Sequence, residues 1–586
     1  MKFQVEIKDN EYKSWTWREI GMNLEMNVNL NPLELKLFDG DLVEEDGRLI
    51  NSKYRNTERT ISGILVLDGK TYGRSSNNKP LYKCIPDNKQ LPIFLVPYEE
   101  RNPSFIKKRV NNYVLFKFKE WIDKHPTGII ANTFGQVQDI KAFQEYQLSC
   151  KELDVSLQKF TKETAKRLAE QQTTSKENMT DAIIATYKNC VIEDRRIGYN
   201  VFSIDPLGSK DFDDAFSIQI YEKYILISVY IANVPLILDY LNLWSEFTNK
   251  VSTIYLPGNK KSMLPPILSD DLCSLQEGKV RFAFTMDIKI LCENNNDFSQ
   301  IVDIKFSNTL IKLVKNYVYE ESELLSKPNY GVLLEYTKHL QKRLPYLDEI
   351  KDSHDVVAYY MILMNYESSK KMIEHNVGIF RATSSLKRKE ETEETEETNE
   401  PPSEIKNFIK GWKYEMSGYY CNNAERTRHE LIANGLDSYT HITSPIRRIV
   451  DLINLIELQR ELGLFASISA SRFAQDWLEK IEYINKSSKA IKKVQQNCLL
   501  LHTLTNVSQK DVIYKGYVLE KIYLCEKESA CKNKLIKYNV YIPSLNMVSS
   551  FKTDNDHIQM YTQCEFILRL IIDEDNLRKK IRLQIV

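Results

Sequence analysis

The sequence lacks several features that would each assign it to a class of protein. Its ten cysteines include no Cys-x-x-Cys pair, which argues against a zinc framework and favours reduced thiols in an intracellular protein. No apolar run approaches the roughly 20 residues that span a bilayer, and no apolar segment opens the chain. We therefore expect an intracellular protein, cytoplasmic or nuclear, without a membrane partner.

The sequence also lacks net charge. Lysine plus arginine and aspartate plus glutamate number 80 each, so no overall field attracts a polyanion. A nucleic-acid ligand would need basic residues concentrated in a local channel. A composition of 42% hydrophobic and 27% charged residues is that of an ordinary globular protein, and 586 residues allow three or four domains.

The most informative stretch that is present places four carboxylates within ten residues, directly after an apolar run. They are Asp205, Asp211, Asp213 and Asp214. Like charges this close raise each other's pKa unless a cation neutralises them. Carboxylate oxygens suit a hard cation such as Mg²⁺, and two such ions about 3.5–4 Å apart can hold the attacking and leaving oxygens of a phosphodiester. The stretch therefore predicts a metal site for phosphodiester hydrolysis.

Two other interpretations of this stretch fit the sequence less well. A solvated acidic surface loop is disfavoured by the apolar residues interleaved with the acids and by the alternating strand pattern that follows. A calcium loop starting at Asp211 fails, because Ala215 offers no third ligand and Phe216 stands where that loop needs glycine.

A second motif, Tyr-Thr-His-Ile-Thr-Ser-Pro-Ile-Arg-Arg at 439–448, is typical of a helix start. Ser444 suits the helix cap, the proline after it suits the first helical position, and apolar residues follow at helical spacing. Arg447 and Arg448 would then lie in the first turn, where the helix dipole disfavours cations unless an anion is bound. This predicts a phosphate site. The alternative is that both arginines pair with acidic neighbours such as Asp451.

The ends of the chain are expected to form small β-domains. Short strand-like runs alternate with turn residues over 1–57 and 58–150, which favours two barrels of the OB or cold-shock type. Residues 151–195 are rich in Lys, Glu, Gln and Ala and predict a helical linker. Strand-like runs return over 509–586, where a third barrel is expected.

The central segment, 196–508, is expected to carry the chemistry. Its pattern is strand-rich from about 200 to 241 and turns helical between about 310 and 374. Residues 386–404 are acidic and of low complexity, and they predict a disordered insertion. The basic triplet inside it is interpreted as a solvated charge run rather than a nuclear-import signal.

Taken together, the two motifs closely resemble the signatures of the RNB family, the processive 3′→5′ exoribonucleases related to bacterial ribonuclease II. The similarity runs from about 201 to 504 and includes the segments Val229–Ala232, Ile254–Leu256, Met263–Ser274 and Arg281–Phe284. The flanks resemble the two cold-shock barrels and the terminal OB-fold of that family. In detail they look nearest the catalytic subunit of the eukaryotic exosome, without the endonuclease domain that precedes the barrels there.

The resemblance implies an α+β multidomain protein, in which an RNB catalytic domain with a mixed sheet and packed helices is flanked by small barrels. It implies catalytic roles for Asp213, as the most critical acid, Asp211 and Arg447. The four aspartates would surround Mg²⁺ or Mn²⁺, and Arg447 would hold the scissile phosphate. The implied RNA-binding residues are Tyr255 and Tyr319, as clamps for the 3′-terminal nucleotides, with Arg447, Arg448, Lys260 and Lys261.

The resemblance implies a magnesium-dependent, processive 3′→5′ exoribonuclease that hydrolyses single-stranded RNA with a free 3′ end to nucleoside 5′-monophosphates. The catalytic unit is expected to be a monomer, with exosome-like or RNA-processing proteins as candidate partners. Departures from the family pattern at Tyr230, Asn233, Tyr359 and Gln495 leave open a catalytically weakened RNA-binding or scaffold subunit. A magnesium phosphodiesterase acting on DNA is a further alternative.

Overall fold

The structure is a computed structural model of the whole chain. It describes residues 2–21, 24–26, 28–56, 58–99, 109–174, 178–291, 301–383, 401–423, 436–506, 512–524, 535–573, 577 and 579–586. The chain divides into two compact units: Met1–Asp154 with Lys492–Val586, and Val155–Ile491. Among the described helices, none has the length and apolar character of a membrane span.

The first unit begins with a five-stranded sheet. Its strands are β1 (Lys2–Ile7), β2 (Trp15–Glu19), β3 (Glu25–Met26), β4 (Leu42–Glu44) and β5 (Leu49–Asn51), in the order β3-β2-β1-β4-β5. Alternate residues of β1, namely Phe3, Val5 and Ile7, are buried, as a half-buried strand requires. The described strands pair as a five-stranded sheet, and the barrel predicted for 1–57 stays a prediction.

The second β-domain is a closed barrel, as the sequence predicts. It consists of β6 (Ile61–Leu65), β7 (Leu81–Pro86), β8 (Phe94–Pro97), β9 (Asn112–Glu120) and β10 (Thr127–Gln136), in the order β10-β8-β7-β6-β9. Gly63 is required in β6, because a Cβ atom there would lie 2.8 Å from the carbonyl oxygen of Ile85. Helix α1 (Ile140–Cys150) follows, capped by Asp139, whose side chain accepts the N–H of Lys141.

The second unit opens with two helices, α2 (Gln158–Thr174) and α3 (Met179–Thr186), in the segment predicted as a helical linker. That segment also contains a strand, β11 (Ile192–Arg195), which pairs in parallel with the longest strand of the central sheet. The end of the predicted linker therefore belongs to the sheet.

The central sheet is mixed and has the order β11-β18-β12-β13-β14-β17, with a further pairing of β17 to β18. Parallel pairing joins β18 to β11 and β12, and the other pairs are antiparallel. The elements of this region are β12 (Val201–Asp205), β13 (Asp214–Ile220), β14 (Tyr224–Ala232), α4 (Val234–Tyr240), a 3₁₀ turn (Trp244–Glu246), β15 (Ile254–Leu256), β16 (Asn259–Lys261), a π-helical turn (Leu268–Leu272), β17 (Val280–Leu291) and β18 (Ile301–Val318).

The expectation of helix from about 310 is wrong for its first part. Strand β18 continues to Val318, and the first helix begins only at Ser322. Leu310, Ile311 and Leu313 satisfy a helical as well as a strand pattern, so periodicity alone cannot decide between them. Pairing of β18 with β17 and β12 on its two sides decides for the strand.

Helices then cover the sheet, and their buried faces join those of the strands in one core that includes Phe216, Ile227, Phe284, Tyr360 and Leu455. The elements are α5 (Ser322–Leu325), α6 (Pro328–Arg343), α7 (Ser353–Glu374), β19 (Phe380–Thr383), α8 (Ser403–Ser417), β20 (Gly418–Cys421), α9 (Ile449–Glu461), α10 (Ile468–Leu478) and α11 (Ile481–Asn506). The predicted insertion at 386–404 lies outside the described residues up to 400, and its last two residues begin α8.

The chain ends in a five-stranded antiparallel sheet in the first unit. Its strands are β21 (Ile513–Leu524), β22 (Leu535–Ile542), β23 (Met547–Thr553), β24 (Gln563–Ile572) and β25 (Lys579–Ile585), in the order β23-β22-β21-β24-β25. A 3₁₀ turn (Pro543–Leu545) connects β22 to β23. Val518, Tyr538 and Phe566 lie in its core.

Candidate active site

Two neighbouring strands of the central sheet deliver the four aspartates. Asp205 is the last residue of β12 and Asp214 is the first of β13, and these strands pair antiparallel. Asp211 and Asp213 lie in the loop between them. The antiparallel pairing of β12 with β13 therefore places the acidic motif at one end of these two adjacent strands.

Ser274 fixes the loop that carries Asp211 and Asp213. Its hydroxyl donates to the carbonyl of Lys210 at 2.7 Å and accepts the N–H of Phe212 at 3.0 Å. The backbone N–H of Leu275 reaches the carbonyl of Phe212 at 3.0 Å. Sequence reasoning gave Ser274 no role, since nothing local to the acidic motif points to a partner so far along the chain.

Asp213 is the most enclosed of the four carboxylates, with only 3% of its surface exposed. Its Oδ1 accepts the backbone N–H of Ile446 at 2.9 Å and its Oδ2 accepts the Nε–H of Arg447 at 3.1 Å. Burial raises the pKa of Asp213 to about 7, although Arg447 and the Ile446 amide favour its charged form. The two sequence motifs therefore meet at this carboxylate.

Asp205 and Asp214 are the other two enclosed carboxylates of the motif, and the charge of Asp205 acts on Asp214. Burial raises the pKa of both, and Asp214 is raised further by the neighbouring charges of Asp205 and Asp213. Oδ2 of Asp205 is buried and has no hydrogen-bond partner. A carboxylate cluster with one orphaned buried oxygen is a donor set that fits a hard divalent cation.

Asp211 is held by a hairpin, β15–β16. Lys260 of β16 lies with its Nζ 2.8 Å from Oδ1 of Asp211, and the hydroxyl of Tyr255, in β15, donates to Oδ2 at 3.0 Å. Tyr255 and Lys260 are paired across the hairpin, so both reach the same carboxylate. Lys260 also contacts Asp270 at 3.2 Å.

The prediction that a helix begins at Ser444 is wrong, since α9 begins at Ile449. Residues 447–449 instead extend beside 251–253: the N–H of Thr253 reaches the carbonyl of Arg447, and the N–H of Ile449 reaches the carbonyl of Val251, both at 2.9 Å. This pairing draws the backbone away from helical geometry. The two arginines therefore lie in a turn before the helix.

Both arginines pair with carboxylates. Nη2 of Arg448 lies 2.8 Å from Oδ1 of Asp451, which also accepts the N–H of Ser444 at 2.7 Å. For Arg448, the structure therefore agrees with the alternative that the arginine pairs with the acidic neighbour Asp451. Arg447 pairs with Asp213 from the other motif, so its guanidinium lies at the acidic cluster.

The other residues predicted to contact RNA differ in exposure. Tyr255 exposes 43% of its surface, whereas Tyr319 and Lys261 are half-buried. The Tyr319 ring packs against His354 at 5.3 Å between centroids, and burial, with Asp214 and Asp205, raises its pKa. The Tyr319 backbone N–H also reaches the carbonyl of Asp205 at 3.2 Å.

One ligand-like group was not predicted. Among the described residues, the only trio of His, Cys or carboxylate ligand atoms within 4.8 Å of one another is Asp352, His354 and Asp355, at the start of α7. The N–H groups of Asp355 and Lys351 donate to Asp352 and Asp355, respectively, each at 2.9 Å. These acids therefore cap the helix, and the four motif aspartates are more widely spaced than this trio.

The departures from the family pattern have partners inside the protein. The Tyr230 hydroxyl lies 2.8 Å from that of Ser217, and the Asn233 side chain contacts Asn308 and Gln459 while capping α4. Tyr359 is buried against Tyr346, with 5.2 Å between ring centroids. Gln495 lies in α11.

Residues 195–350 match the family of RNB domains. DIS3-like exonuclease 2 of Schizosaccharomyces pombe is 23% identical over 552 residues, covering 78% of this chain and 57% of the relative. Exosome complex exonuclease RRP44 of Homo sapiens is 22% identical over 476 residues, covering 66% and 47%, respectively. The chain thus spans about half the length of the curated relatives it matches.

Two solved structures share the fold. The apo form of Mycoplasma genitalium RNase R has a TM-score of 0.65 at 16% identity, with 100% of both chains covered. Yeast Ssd1, a pseudonuclease, has a TM-score of 0.56 at 13% identity, with 97% of this chain and 80% of that chain covered. The predicted α+β multidomain architecture is confirmed. Residues 195–350 therefore resemble an RNB domain, within a chain that shares its fold with these structures.

Proposed function

We propose that this chain is a magnesium-dependent, processive 3′→5′ exoribonuclease that releases nucleoside 5′-monophosphates from single-stranded RNA. The observation that carries the proposal is the contact between Asp213 and Arg447. It joins a carboxylate cluster that fits divalent cations to a guanidinium that fits a phosphate. Both groups can act on a phosphodiester, and they are in direct contact.

The four aspartates, Asp205, Asp211, Asp213 and Asp214, would hold the divalent ions. Such ions, when bound, supply activation of water and neutralisation of charge on the phosphate. Ser274 and the Ile446 amide keep the loop and the Asp213 carboxylate in place, so the ligands are oriented before any ion binds. Preorganisation of this kind lowers the cost of assembling the site.

Arg447 would bind the scissile phosphate. A guanidinium carries five N–H donors, and the described contacts use its Nε–H toward Asp213 and one Nη2 hydrogen toward Ser444. The remaining donors, on a side chain that is 41% exposed, are available to phosphate oxygens. Charge developing on those oxygens in the transition state would be stabilised by this fixed cation.

Tyr255 and Tyr319 would contact the nucleotides at the 3′ end. An exposed tyrosine ring such as that of Tyr255 stacks on bases without regard to sequence, which suits an enzyme that removes one nucleotide after another. The Tyr255 hydroxyl is tied to Asp211, so its ring is held beside the carboxylate cluster. Preference for RNA over DNA would come from contacts with 2′-hydroxyl groups.

A labelled single-stranded RNA tests the proposal directly. We expect this chain with Mg²⁺ to release labelled 5′-monophosphate from a 3′-end-labelled RNA. From the same RNA labelled at its 5′ end, it should leave a short residual oligonucleotide with no intermediate ladder. Chelation of the metal should stop the reaction, and the deoxy analogue should be a poor substrate. Cleavage of circular RNA would contradict the exonuclease assignment, and equal cleavage of DNA would favour the phosphodiesterase alternative.

A catalytically weakened RNA-binding subunit is the second candidate, because yeast Ssd1, a pseudonuclease, has a similar fold. The two candidates differ in one experiment. The scaffold alternative predicts RNA binding without 5′-monophosphate release at any Mg²⁺ or Mn²⁺ concentration. Asp213→Asn and an exposed-carboxylate control in β18, Asp303→Asn, would then give identical product profiles.

A further inference from the structure

The hairpin β15–β16 engages both oxygens of one proposed metal ligand. Oδ1 of Asp211 is 2.8 Å from the Lys260 ammonium, and Oδ2 accepts the Tyr255 hydroxyl at 3.0 Å. Asp205 differs, because its Oδ2 is buried without a partner. A cation that approaches Asp205 displaces nothing from that oxygen, whereas a cation that approaches Asp211 must compete with the hairpin.

Lys260 lies between two carboxylates. Its Nζ is 2.8 Å from Asp211 and 3.2 Å from Asp270, and the side chain is only 26% exposed. Asp270 belongs to the π-helical turn Leu268–Leu272 and is not one of the motif acids. A lysine ammonium has three N–H donors on a flexible side chain. It can therefore move from one carboxylate toward the other while keeping at least one hydrogen-bond partner.

We propose that Lys260 is a built-in counter-ion that neutralises Asp211 in the metal-free protein and yields it to a divalent ion by shifting toward Asp270. The inference rests on the proposed function only in taking Asp211 as a metal ligand. Tyr255, on the other strand of the hairpin, donates a hydrogen bond to the same Asp211 carboxylate. Metal binding at Asp211 therefore affects the position of the Tyr255 ring. Lys260 is then a positioning residue for the metal site rather than a contact to the RNA backbone.

The direction in which metal affinity changes on removal of Lys260 distinguishes a competing counter-ion from a lysine that orients Asp211 as a ligand. A competing cation lowers metal affinity, so Lys260→Met should raise it, since one positive charge leaves the site and Oδ1 becomes available. A lysine that merely orients Asp211 as a ligand would have the opposite effect. Asp270→Asn removes the alternative partner, and we expect it to strengthen the contact with Asp211 and to weaken metal binding.

The test measures the affinity for Mn²⁺ by isothermal titration calorimetry, with the full chain free of RNA. We expect Lys260→Met to bind Mn²⁺ about threefold or more tightly than wild type, and Asp270→Asn to bind it about threefold or more weakly. In the Lys260→Met background, Asp270→Asn should change affinity by less than about twofold, because its effect passes through Lys260. Lys210→Met, a charge removal at the exposed residue next to Asp211, is the matched control and should also stay within about twofold.

Thermal unfolding supplies a second readout that needs no catalysis. Lys260→Met should lower the melting temperature of the metal-free protein, since Asp211 loses its counter-ion, and should enlarge the rise in melting temperature on adding Mn²⁺. If Lys260→Met does not fold, Lys260→Gln, which also removes the charge, takes its place in the single and double variants.

Two results would overturn the inference. Unchanged or weaker Mn²⁺ binding by Lys260→Met, with wild type binding normally, removes Lys260 as a competing counter-ion and leaves the proposed nuclease intact. Unchanged binding by Asp270→Asn removes the shift toward Asp270. Failure of the wild type to bind Mn²⁺ is a different outcome, since it contradicts the metal site of the proposed function and the inference together.

Discussion

Arg447 donates its Nε–H to Oδ2 of Asp213 at 3.1 Å, across a separation of 234 residues in the chain. The Ile446 N–H beside it takes the other oxygen of the same carboxylate at 2.9 Å. One aspartate thus fixes both the backbone and the side chain of the second motif. A guanidinium anchored in this way is already oriented when a phosphate arrives, which is the geometric condition for charge stabilisation without reorganisation.

Asp213→Asn should abolish RNA hydrolysis while RNA binding stays nearly unchanged. The substitution removes one charge from the carboxylate cluster and leaves the shape of the side chain intact. Single-turnover cleavage and fluorescence anisotropy on the same labelled RNA measure the two effects separately. Retention of most of the wild-type rate would show that Asp213 is not the critical acid.

The metal-free protein should lose stability as pH rises from about 4 to about 7. Folded Asp213 keeps its proton up to about pH 7, whereas an unfolded aspartate loses it near a pKa of about 3.9. The unfolded state therefore binds fewer protons in this window, and the free energy of unfolding falls with increasing pH. Raised pKa values at Asp205 and Asp214 act in the same direction.

Chemical denaturation of the wild type and Asp213→Asn in chelator, at about pH 5.5 and about pH 7.5, measures this contribution. The variant carries no titrating group at position 213, so its two midpoints should lie closer together than those of the wild type. Adding Mg²⁺ at the higher pH should stabilise the wild type more than the variant. Equal pH dependence in the two proteins would contradict the raised pKa.

Arg447→Lys should restore folding but not catalysis. A lysine can neutralise Asp213, so the metal-free variant should unfold near the wild-type midpoint, whereas Arg447→Ala leaves a buried carboxylate without its cation. A point charge does not reproduce the planar fork on a phosphate, so both variants should lose about 2–4 kcal/mol of transition-state stabilisation in kcat/KM. A lysine variant with most of the wild-type rate would mean that the site needs only charge.

The sequence predicts the acidic motif and the strand after it, because both depend on residues that are close together in the chain. Four aspartates within ten residues are evident from the sequence alone. The alternation of apolar and polar residues after them predicts a strand, which corresponds to β13 in the structure. The closed barrel at 61–136 likewise follows from short alternating runs between turn residues. In these segments the physical cause, short apolar runs that become buried in a sheet, lies within a few residues of the chain.

Features set by distant pairing could not be predicted. The helix after Ser444 begins later than its capping pattern indicates, because residues 447–449 pair with 251–253. The contact of Lys260 with Asp211 depends on a hairpin that folds back over the acidic loop, and no local rule predicts it. In each case a backbone or ionic contact between remote segments outweighs the local preference.

Tyr255→Phe and Tyr255→Ala should differ in RNA affinity. Phenylalanine keeps the ring face and loses only the hydrogen bond to Asp211, so its affinity for RNA in chelator should stay close to that of the wild type. Alanine loses the stacking surface, which is worth about 1–3 kcal/mol per base. Anisotropy titrations with a short single-stranded RNA measure both. Equal losses in the two variants would show that the hydroxyl, not the ring, carries the contact.

The edge of the central sheet depends on a buried ion pair, and we expect it to dominate the stability of this region. Arg195 of β11 contacts both oxygens of Asp287 of β17, at 2.8 and 2.6 Å, and the Ser228 hydroxyl of β14 donates to the same carboxylate at 2.6 Å. The Arg195 side chain is only 4% exposed. Three strands are therefore joined through this ion pair.

Arg195→Met should destabilise the protein by about 3–5 kcal/mol, because it leaves the Asp287 carboxylate buried without its cation. The double variant Arg195→Met with Asp287→Leu should recover much of that loss, since position 287 no longer holds a buried charge and Glu193, the second partner of Arg195, keeps its contact with Lys305 at 2.7 Å. Urea denaturation of the three proteins measures the difference, and Arg196→Met, at the exposed neighbour of Arg195, is the matched control. If the single and double variants are equally destabilised, the loss comes from packing around Arg195 rather than from the stranded charge.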